Sequence, residues 1–405
     1  MRTRLTGRGI SLLIVGVIAS AGAAFIGEID LLWLTLLIAV LPLLAAAYLL
    51  LAPPSIEHRR ELEPPTLPIG QTARSVLKVI NHSPLQASAL QFTDVAEAPV
   101  GGGASFIIAR GFGRWHQAVG YSMEATSRGR FRIGPLTAKA GDPFGLATRA
   151  VTSRGDDSLL RVTPRVWRLG GLPGGSGLGS AGDATPQRIG QAGTDDVLVR
   201  EHRHGDDMRR VHWKQSAKRD DLMVRLEEHP WDPSSTLVLD TRSSAHPDLG
   251  PAGSLEWAVS AVASVGEALL DGRFRLAIVA PSGLVFDSGH AVGAVARQHL
   301  LDTLTDLQAT AEERLASAVS DPQALTSAAS VIAATGILKP VDAAALSAAA
   351  NRARSLTALV PDAQAWGVPS EEHLAACRLL RGRGWRVEAY GPGDSIAEVW
   401  ERVIR

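Results

Sequence analysis

Two long apolar runs open the chain, and shorter alternating patterns fill the rest. Ile10 to Ile26 carries no charged side chain, and neither does Leu31 to Ala52. At about 1.5 Å per residue the second run spans the ~30 Å hydrocarbon core, and the first lies near the lower limit. Gly27-Glu28-Ile29-Asp30 between them is too short for a domain and reads as a hairpin tip. Arg2, Arg4 and Arg8 precede the first run, and His58, Arg59 and Arg60 follow the second. Basic flanks around an acidic tip put both flanks in the cytoplasm by the positive-inside rule. The expectation is a multi-pass cell-membrane protein with a two-span helical hairpin over residues 1–54. Its N-terminus and soluble domains are expected in the cytoplasm, with the lipid bilayer as a first partner. A cleaved signal peptide ending near Ala21-Gly22-Ala23 is the rival, and the second spanning run directly after it argues against that reading.

Residues 55–168 show turn signals between short alternating runs. Pro64-Pro65, Pro68 to Gly70, Asn81 to Pro84, Gly101 to Gly103, Gly134-Pro135 and Asp142-Pro143 punctuate the segment. Ser75 to Ile80, Arg130 to Thr137 and Leu159 to Val166 are strand-like, so a small β-sandwich is expected. Arg128-Gly129-Arg130 reads as a turn with solvated charges. Residues 169–195 form a Gly-rich linker, with nine glycines between Leu169 and Gly193. That composition buries little apolar surface. It contains no Lys, which the phosphate-cradling G-x-x-x-x-G-K-[ST] loop requires.

From residue 235 onward apolar runs alternate with helical spacing. Thr236 to Leu239, Leu276 to Ala280, Leu284 to Phe286, Ser330 to Ala334, Leu356 to Val360 and Val387 to Tyr390 read as strands. Leu255 to Leu270, Val341 to Ala353, Glu371 to Leu380 and Ile396 to Ile404 read as helices. Such alternation predicts an α/β doubly wound sheet covered on both faces. The order is similar to that of the von Willebrand factor A fold. Residues 196–405 are therefore expected to hold a charged segment followed by a von Willebrand factor A-like domain.

The charged segment has interleaved signs. Arg200 to Glu228 carries eight Lys/Arg, seven Asp/Glu and three His. Charges of both signs nearly cancel, which removes the uncompensated positive surface that nucleic acid needs. The whole chain points the same way, with 41 Lys+Arg against 41 Asp+Glu. Within the segment a short helix capped by Asp206 or Asp207 is expected. A turn at Asp220-Asp221 follows, then a strand in which Leu222, Val224 and Leu226 form one buried face. An ion-paired structural corner and a docking site are the two readings of this segment. Catalysis through His204 or His212 with Asp206 has the residue types but no nucleophile partner. The single cysteine, Cys377, excludes an intrachain disulfide or a cysteine-based zinc site, and its neighbours make it a buried small hydrophobe.

This segment resembles the signature of the domain of unknown function 58 family, whose members carry R-E-Y-x-x-G-D-x-x-R-x-I-x-W-x-x-x-A-R. The matching residues are Arg200, Glu201, Gly205, Asp206, Arg209, His212, Trp213, Ala217, Lys218 and Arg219. Val211 stands where Ile is usual, and His202 where an aromatic is common. Upstream, RGRFRIGPLTAKAGDPFGL over residues 128–146 is similar to a second family segment, R-G-x-y-x-l-G-P…D-P-F-G-L. The resemblance implies a membrane protein that partners a MoxR-type AAA+ ATPase, in protein-complex assembly or cell-envelope physiology. It supplies no reaction and identifies no small-molecule substrate.

In a von Willebrand factor A fold, ligands sit at the carboxyl ends of the strands, where Asp240 falls. The metal-binding version uses D-x-S-x-S to hold magnesium with oxygen ligands. Here the segment is Asp240-Thr241-Arg242-Ser243-Ser244, and a guanidinium at the middle position donates where a lone pair is needed. Asp240, Ser244 and Asp362 are thus the metal candidates, with no cofactor as the expectation and an Asp240–Arg242 interaction as the alternative. The expected function is a non-enzymatic membrane-anchored scaffold or adaptor. A metal-dependent hydrolase or other enzyme centred on the charged segment or Asp240 is one alternative, and a purely structural envelope protein is another.

Overall fold

The computed structural model describes residues 3–84, 89–110, 113–171, 199–201, 216–217, 223–225, 234–289, 291, 293–317, 319, 328–350 and 353–405. The chain divides into two compact units. One is Met1–Val166 with Leu301–Gln308, and the other is Trp167–Leu300 with Ala309–Arg405.

The first unit begins with a short strand, β1 (Thr3–Leu5), ahead of two apolar helices, α1 (Gly7–Ile26) and α2 (Ile29–Leu51). Both helices are long and apolar enough to cross a membrane. Between the charged ends at Arg8 and Asp30 their outward side chains are mostly apolar, from Ile14 and Ile18 on α1 to Trp33 and Leu37 on α2, with Phe25 94% exposed at the tip. Such an apolar surface has no reason to face water. The two helices close on each other through Gly16, where a Cβ would stand 2.6 Å from the Ala39 nitrogen. Small residues at such crossings let apolar helices approach to van der Waals contact where no hydrophobic force separates lipid from protein.

Ten strands in all, including β1, make the β module of this unit. They continue as β2 (Ile56–Glu63), β3 (Thr66–Pro68), β4 (Thr72–Asn81), β5 (Leu90–Ala96), β6 (Gly103–Ile108), β7 (Trp115–Glu124), β8 (Gly129–Gly141), β9 (Ala147–Thr152) and β10 (Ser158–Thr163). One sheet runs β1-β9-β8-β10-β3, with β5 also paired to β8 and β6 to β5, and a second runs β2-β4-β7. Alternation drives the packing. Leu77 and Val79 of β4 bury against Phe92, Leu136, Ala138 and Val151 of the other sheet. Two sheets meeting through alternate residues make a sandwich. Within it, Arg60 and Asp94 form a fully buried ion pair at 2.5 Å, and the Tyr121 hydroxyl donates to the second Asp94 oxygen. Burial and the Asp94 carboxylate push the Tyr121 phenol well above its usual range.

The helical hairpin and the sandwich share one core. Ala45 and Leu49 of α2 bury with Leu146 and Ala147, and Leu12 and Tyr48 pack alongside. Thr6 caps α1, its hydroxyl accepting from Gly9 N at 3.1 Å and donating to Gly145 O at 2.7 Å. Gly9 lies so close to the Leu146 carbonyl that a Cβ would stand 2.1 Å from it. At the other helix end, Arg149 donates to Leu49 O at 2.9 Å, supplying an orphan carbonyl of the last turn. The D-P-F-G-L turn is thus the seat of the helices. Asp142 holds it, accepting from Phe144 N and Ala147 N. Arg128 departs from the solvated-turn expectation. It is 8% exposed and donates to Leu307 O, because a buried guanidinium needs carbonyl partners.

In the second unit, β11 (Val199–Glu201) pairs antiparallel with β12 (Met223–Arg225). The main body follows: β13 (Ser234–Leu239), α3 (Ser254–Asp271), β14 (Arg275–Ala280), β15 (Gly283–Asp287), α4 (Ala294–Asp306), β16 (Ser330–Ala334), α5 (Pro340–Ala349), β17 (Ser355–Pro361), α6 (Glu371–Gly382), β18 (Arg386–Tyr390) and α7 (Ile396–Ile404). The sheet order is β15-β14-β13-β16-β17-β18. Five strands are parallel, and β15 joins the edge antiparallel. Strands buried on both faces read as continuous apolar runs, as TLVL and SVIAA do. Val238 and Val279 face Leu346, Cys377 and Leu380 of α5 and α6. Leu237 and Leu276 lie on the opposite face, in contact range of Gly266 on α3. Chain order reverses between β13 and β16, which makes their carboxyl ends the switch point of a doubly wound sheet.

Candidate functional site

The loop leaving β13 at the switch point carries Asp240, which is fully buried. Its carboxylate meets the Arg242 guanidinium side by side, Nε to Oδ1 at 2.9 Å and Nη2 to Oδ2 at 2.8 Å. Such a fork-to-fork pair is planar and charge-assisted. Two backbone amides complete the carboxylate, Arg242 N at 3.1 Å and Gly336 N at 3.2 Å. The remaining guanidinium nitrogen, Nη1, reaches Asp342 at 3.1 Å on the first turn of α5 and the Glu313 carbonyl at 3.2 Å. Asp342 also accepts from Lys339 N at 3.0 Å, closing that helix start. All three charged groups are buried, so each needs the others. Burial by itself would lower the Arg242 pKa. Hydrogen bonds and charge from Asp240 and then Asp342 outweigh it and hold the guanidinium above its ordinary range.

The surrounding groups are neutral and fixed. His246 donates from Nε2 to the Asp240 carbonyl at 2.7 Å, and its Nδ1 pairs with the Ser254 hydroxyl at 3.0 Å. Burial pulls its pKa below the usual value, so the imidazole is neutral and orients the loop. Tyr390 is completely buried, donating to Thr335 O at 3.0 Å, with Trp257 stacked on it at 3.7 Å between centroids. Burial and then Asp240 raise this phenol well above its normal range. The Thr310 amide donates to Thr241 O at 2.7 Å, tying the loop down on its other side.

Of the metal candidates, Asp240 is taken up by Arg242, and Ser244 is exposed. Asp362 follows β17 and is exposed, its Oδ1 accepting from Gln364 N at 3.0 Å and Ala365 N at 3.2 Å to close a turn. Among the described residues, no group of three or more His, Cys, Asp or Glu is placed to hold a metal ion. Cys377 is buried with its thiol 3.7 Å from His373 Nε2. That imidazole is committed elsewhere, accepting from Leu338 N and donating to Pro361 O. Burial raises the thiol and lowers the histidine, so the pair is un-ionised and inert.

Of the signature residues, Arg200 and Glu201 lie on β11, opposite Val224 and Met223. Gly205, Asp206, Arg209, His212, Trp213, Lys218 and Arg219 lie outside the described residues, as does most of the Gly-rich linker. Met223, at the alternation position opposite to the expected buried set, is 2% exposed. Its amide donates to the Ser216 hydroxyl oxygen at 2.8 Å, which pins that strand face inward. Sequence reasoning missed Asp342 and His246. Asp342 shows only as an acid near a helix start, and nothing in spacing links it to Arg242, 100 residues earlier.

A family model described as "Protein of unknown function DUF58" matches residues 198–361, which include β11, β12 and the sheet from β13 to β17. No curated protein matches the chain. Solved structures with local likeness include a CARDB domain from Pyrococcus furiosus, at 11% identity and a TM-score of 0.18, covering 25% of this chain and 96% of that one. A β-glucosidase from Listeria innocua follows at 14% identity and a TM-score of 0.16, covering 25% of this chain and 16% of that one. A DNA glycosylase from Pseudomonas fluorescens has 14% identity and a TM-score of 0.16, covering 32% and 39%. Likeness at this level says nothing about chemistry.

Proposed function

We propose that this chain is a membrane-anchored, non-enzymatic scaffold whose soluble body docks a MoxR-type AAA+ ATPase at the cell membrane. The observation that carries the non-enzymatic part is the Arg242 plug. The crevice at the switch point, where an α/β sheet ordinarily takes its ligand, is filled by the chain's own guanidinium. An Asp saturated by an Arg and two amides has no lone pair aimed at a substrate or cation. Strand order and the antiparallel edge strand support a von Willebrand factor A-like reading, in which the site serves protein recognition.

The anchor supports the membrane part. β1 pairs with β9, so the segment entering α1 and the segment leaving α2 both join the same sandwich. A hairpin with both ends on one side fits this pairing, and the basic flanks support the cytoplasm as that side. The resemblance to the domain of unknown function 58 family supports the ATPase. The signature residues Asp206 and Arg209 are the docking determinants in this reading. Capture of the intact protein from native membranes tests it. An AAA+ ATPase co-purifies with the wild type and is depleted from the Asp206→Ala/Arg209→Ala variant. A wild-type capture without any ATPase removes the main support, and the structural-protein reading then takes its place.

A further inference from the structure

The β8–β9 hairpin that seats the helices also carries an unassigned cationic hollow. Pairing places Arg4 of β1 opposite Thr148 of β9, Thr148 opposite Gly141 of β8, and Lys139 opposite Ala150. Alternate residues share one face of a sheet, so Arg4, Thr148 and Lys139 point outward while Ala138, Ala140 and Ala147 go to the core. Thr137 and Thr152, also paired, extend the same face. These side chains line a shallow hollow of about 440 Å³, and no carboxylate lines it. A guanidinium and an ammonium beside three hydroxyls, with no counter-charge among the described lining residues, suit a phosphate-bearing ligand.

Position identifies which ligand. Arg4 stands two residues before Thr6, the cap of α1, which puts it about 7 Å along the strand from the helix start at ~3.3 Å per residue. The polar layer of one leaflet is about 5–7 Å thick, from a ~30 Å core within a ~40–45 Å bilayer. The apolar run itself begins at Ile10, so the Arg4 end of the hollow stands at the aqueous margin of the headgroup layer, from which a long cationic side chain reaches headgroup phosphate. Phe144, in the turn joining the same two strands, is 66% exposed while its neighbour Gly145 is bonded to Thr6. An exposed aromatic ring at that level belongs in the interface between headgroups and acyl chains. The outward apolar belt of α1 and α2 is continuous with this edge, reaching Ile10 and Leu51.

We infer that the outer face of β1, β9 and β8 binds the headgroup of an anionic phospholipid, with Arg4, Lys139 and Thr148 as its ligands and Phe144 seated in the interface. This inference rests on the membrane-anchor reading. Anionic lipid then selects the leaflet and holds the sandwich against it, beyond what the two spans do.

The test uses the full chain in nanodiscs of mixed phosphatidylcholine and phosphatidylglycerol, with the lipid retained by the protein counted by native mass spectrometry. The wild type retains phosphatidylglycerol several-fold over its share in the disc, and Arg4→Gln/Lys139→Gln reduces retention to that share. Equal retention in both proteins, or no enrichment in the wild type, overturns the inference. Millimolar inorganic phosphate that abolishes the enrichment also overturns it, in favour of a free-phosphate site. A nitroxide at Ile18→Cys, read by oxygen against nickel-chelate collisions, checks the anchor separately. Lipid-like exposure there without phosphatidylglycerol enrichment removes the headgroup site alone, and water-like exposure removes both readings.

Discussion

At the residue scale, the interior charges decide most. Arg242 is the shared partner of Asp240 and Asp342, and all three are buried. Removing the guanidinium leaves two carboxylates without a counter-charge in a dry site, at a cost of about 3–5 kcal/mol. Arg242→Ala is therefore expected to lower the denaturant midpoint of the full chain strongly. Arg242→Lys is expected to recover part of it, because a point charge cannot make the side-by-side pair. Titration follows from the same burial. His58, His246 and His373 all have pKa values pushed below the ordinary 6.5, burial being the largest cause in each. Between the folded and unfolded pKa values the unfolded chain binds more protons, so stability rises with pH there. The expected outcome is full stability above about pH 6.5 and progressive loss below it, read from thermal melts across pH 4.5–8. Glu267, raised by burial, acts in the opposite sense, but it is one group against three.

At the element scale, legibility in the sequence followed burial on both faces. Strands β13, β14, β16 and β17 carry continuous apolar stretches, edge strand β18 buries only Val387 and Tyr390, with Arg386 and Glu388 on either side of Val387, and α7 matches its predicted span of Ile396 to Ile404. Helix α4 was not legible, because its fully buried apolar positions are Ala296, Leu300 and Leu304 alone, with the polar Thr305 buried beside them and polar residues interrupting the stripe. Strand β7 was missed for a related reason, since Gln117 on the inward side and Ala118 on the outward side break the alternation that Val119, Tyr121 and Met123 continue. Strand β1 was hidden by its charge. Arg4 reads as a membrane flank, and only backbone pairing to β9 makes it part of a sheet. The plug was half legible. Arg242 beside Asp240 was visible as a departure from a ligand pattern, while Asp342 and His246 enter only through the fold. The helix pair carries its own prediction. Gly16 sits against the Ala39 backbone, so Gly16→Leu is expected to force the helices apart at a cost of about 1–3 kcal/mol from overpacking. Lower resistance of the full chain to unfolding in a mixed detergent series measures it.

At the scale of the whole molecule, the helical hairpin and the sandwich share one core, from Leu49 and Ala45 to Leu146 and Phe92. The hairpin is therefore the continuation of the sandwich core rather than a tether, and the D-P-F-G-L turn is the joint. In the α/β unit, the carboxyl edge at the switch point is closed by Arg242. In the proposed scaffold, this closure leaves Asp240 with no oxygen lone pair for a catalytic metal. Calorimetric titration of the full-length protein with magnesium, manganese and zinc tests it most directly. The account predicts heats of dilution only, for the wild type and for Asp240→Asn alike. Saturable binding of a divalent cation to the wild type that Asp240→Asn abolishes would contradict it.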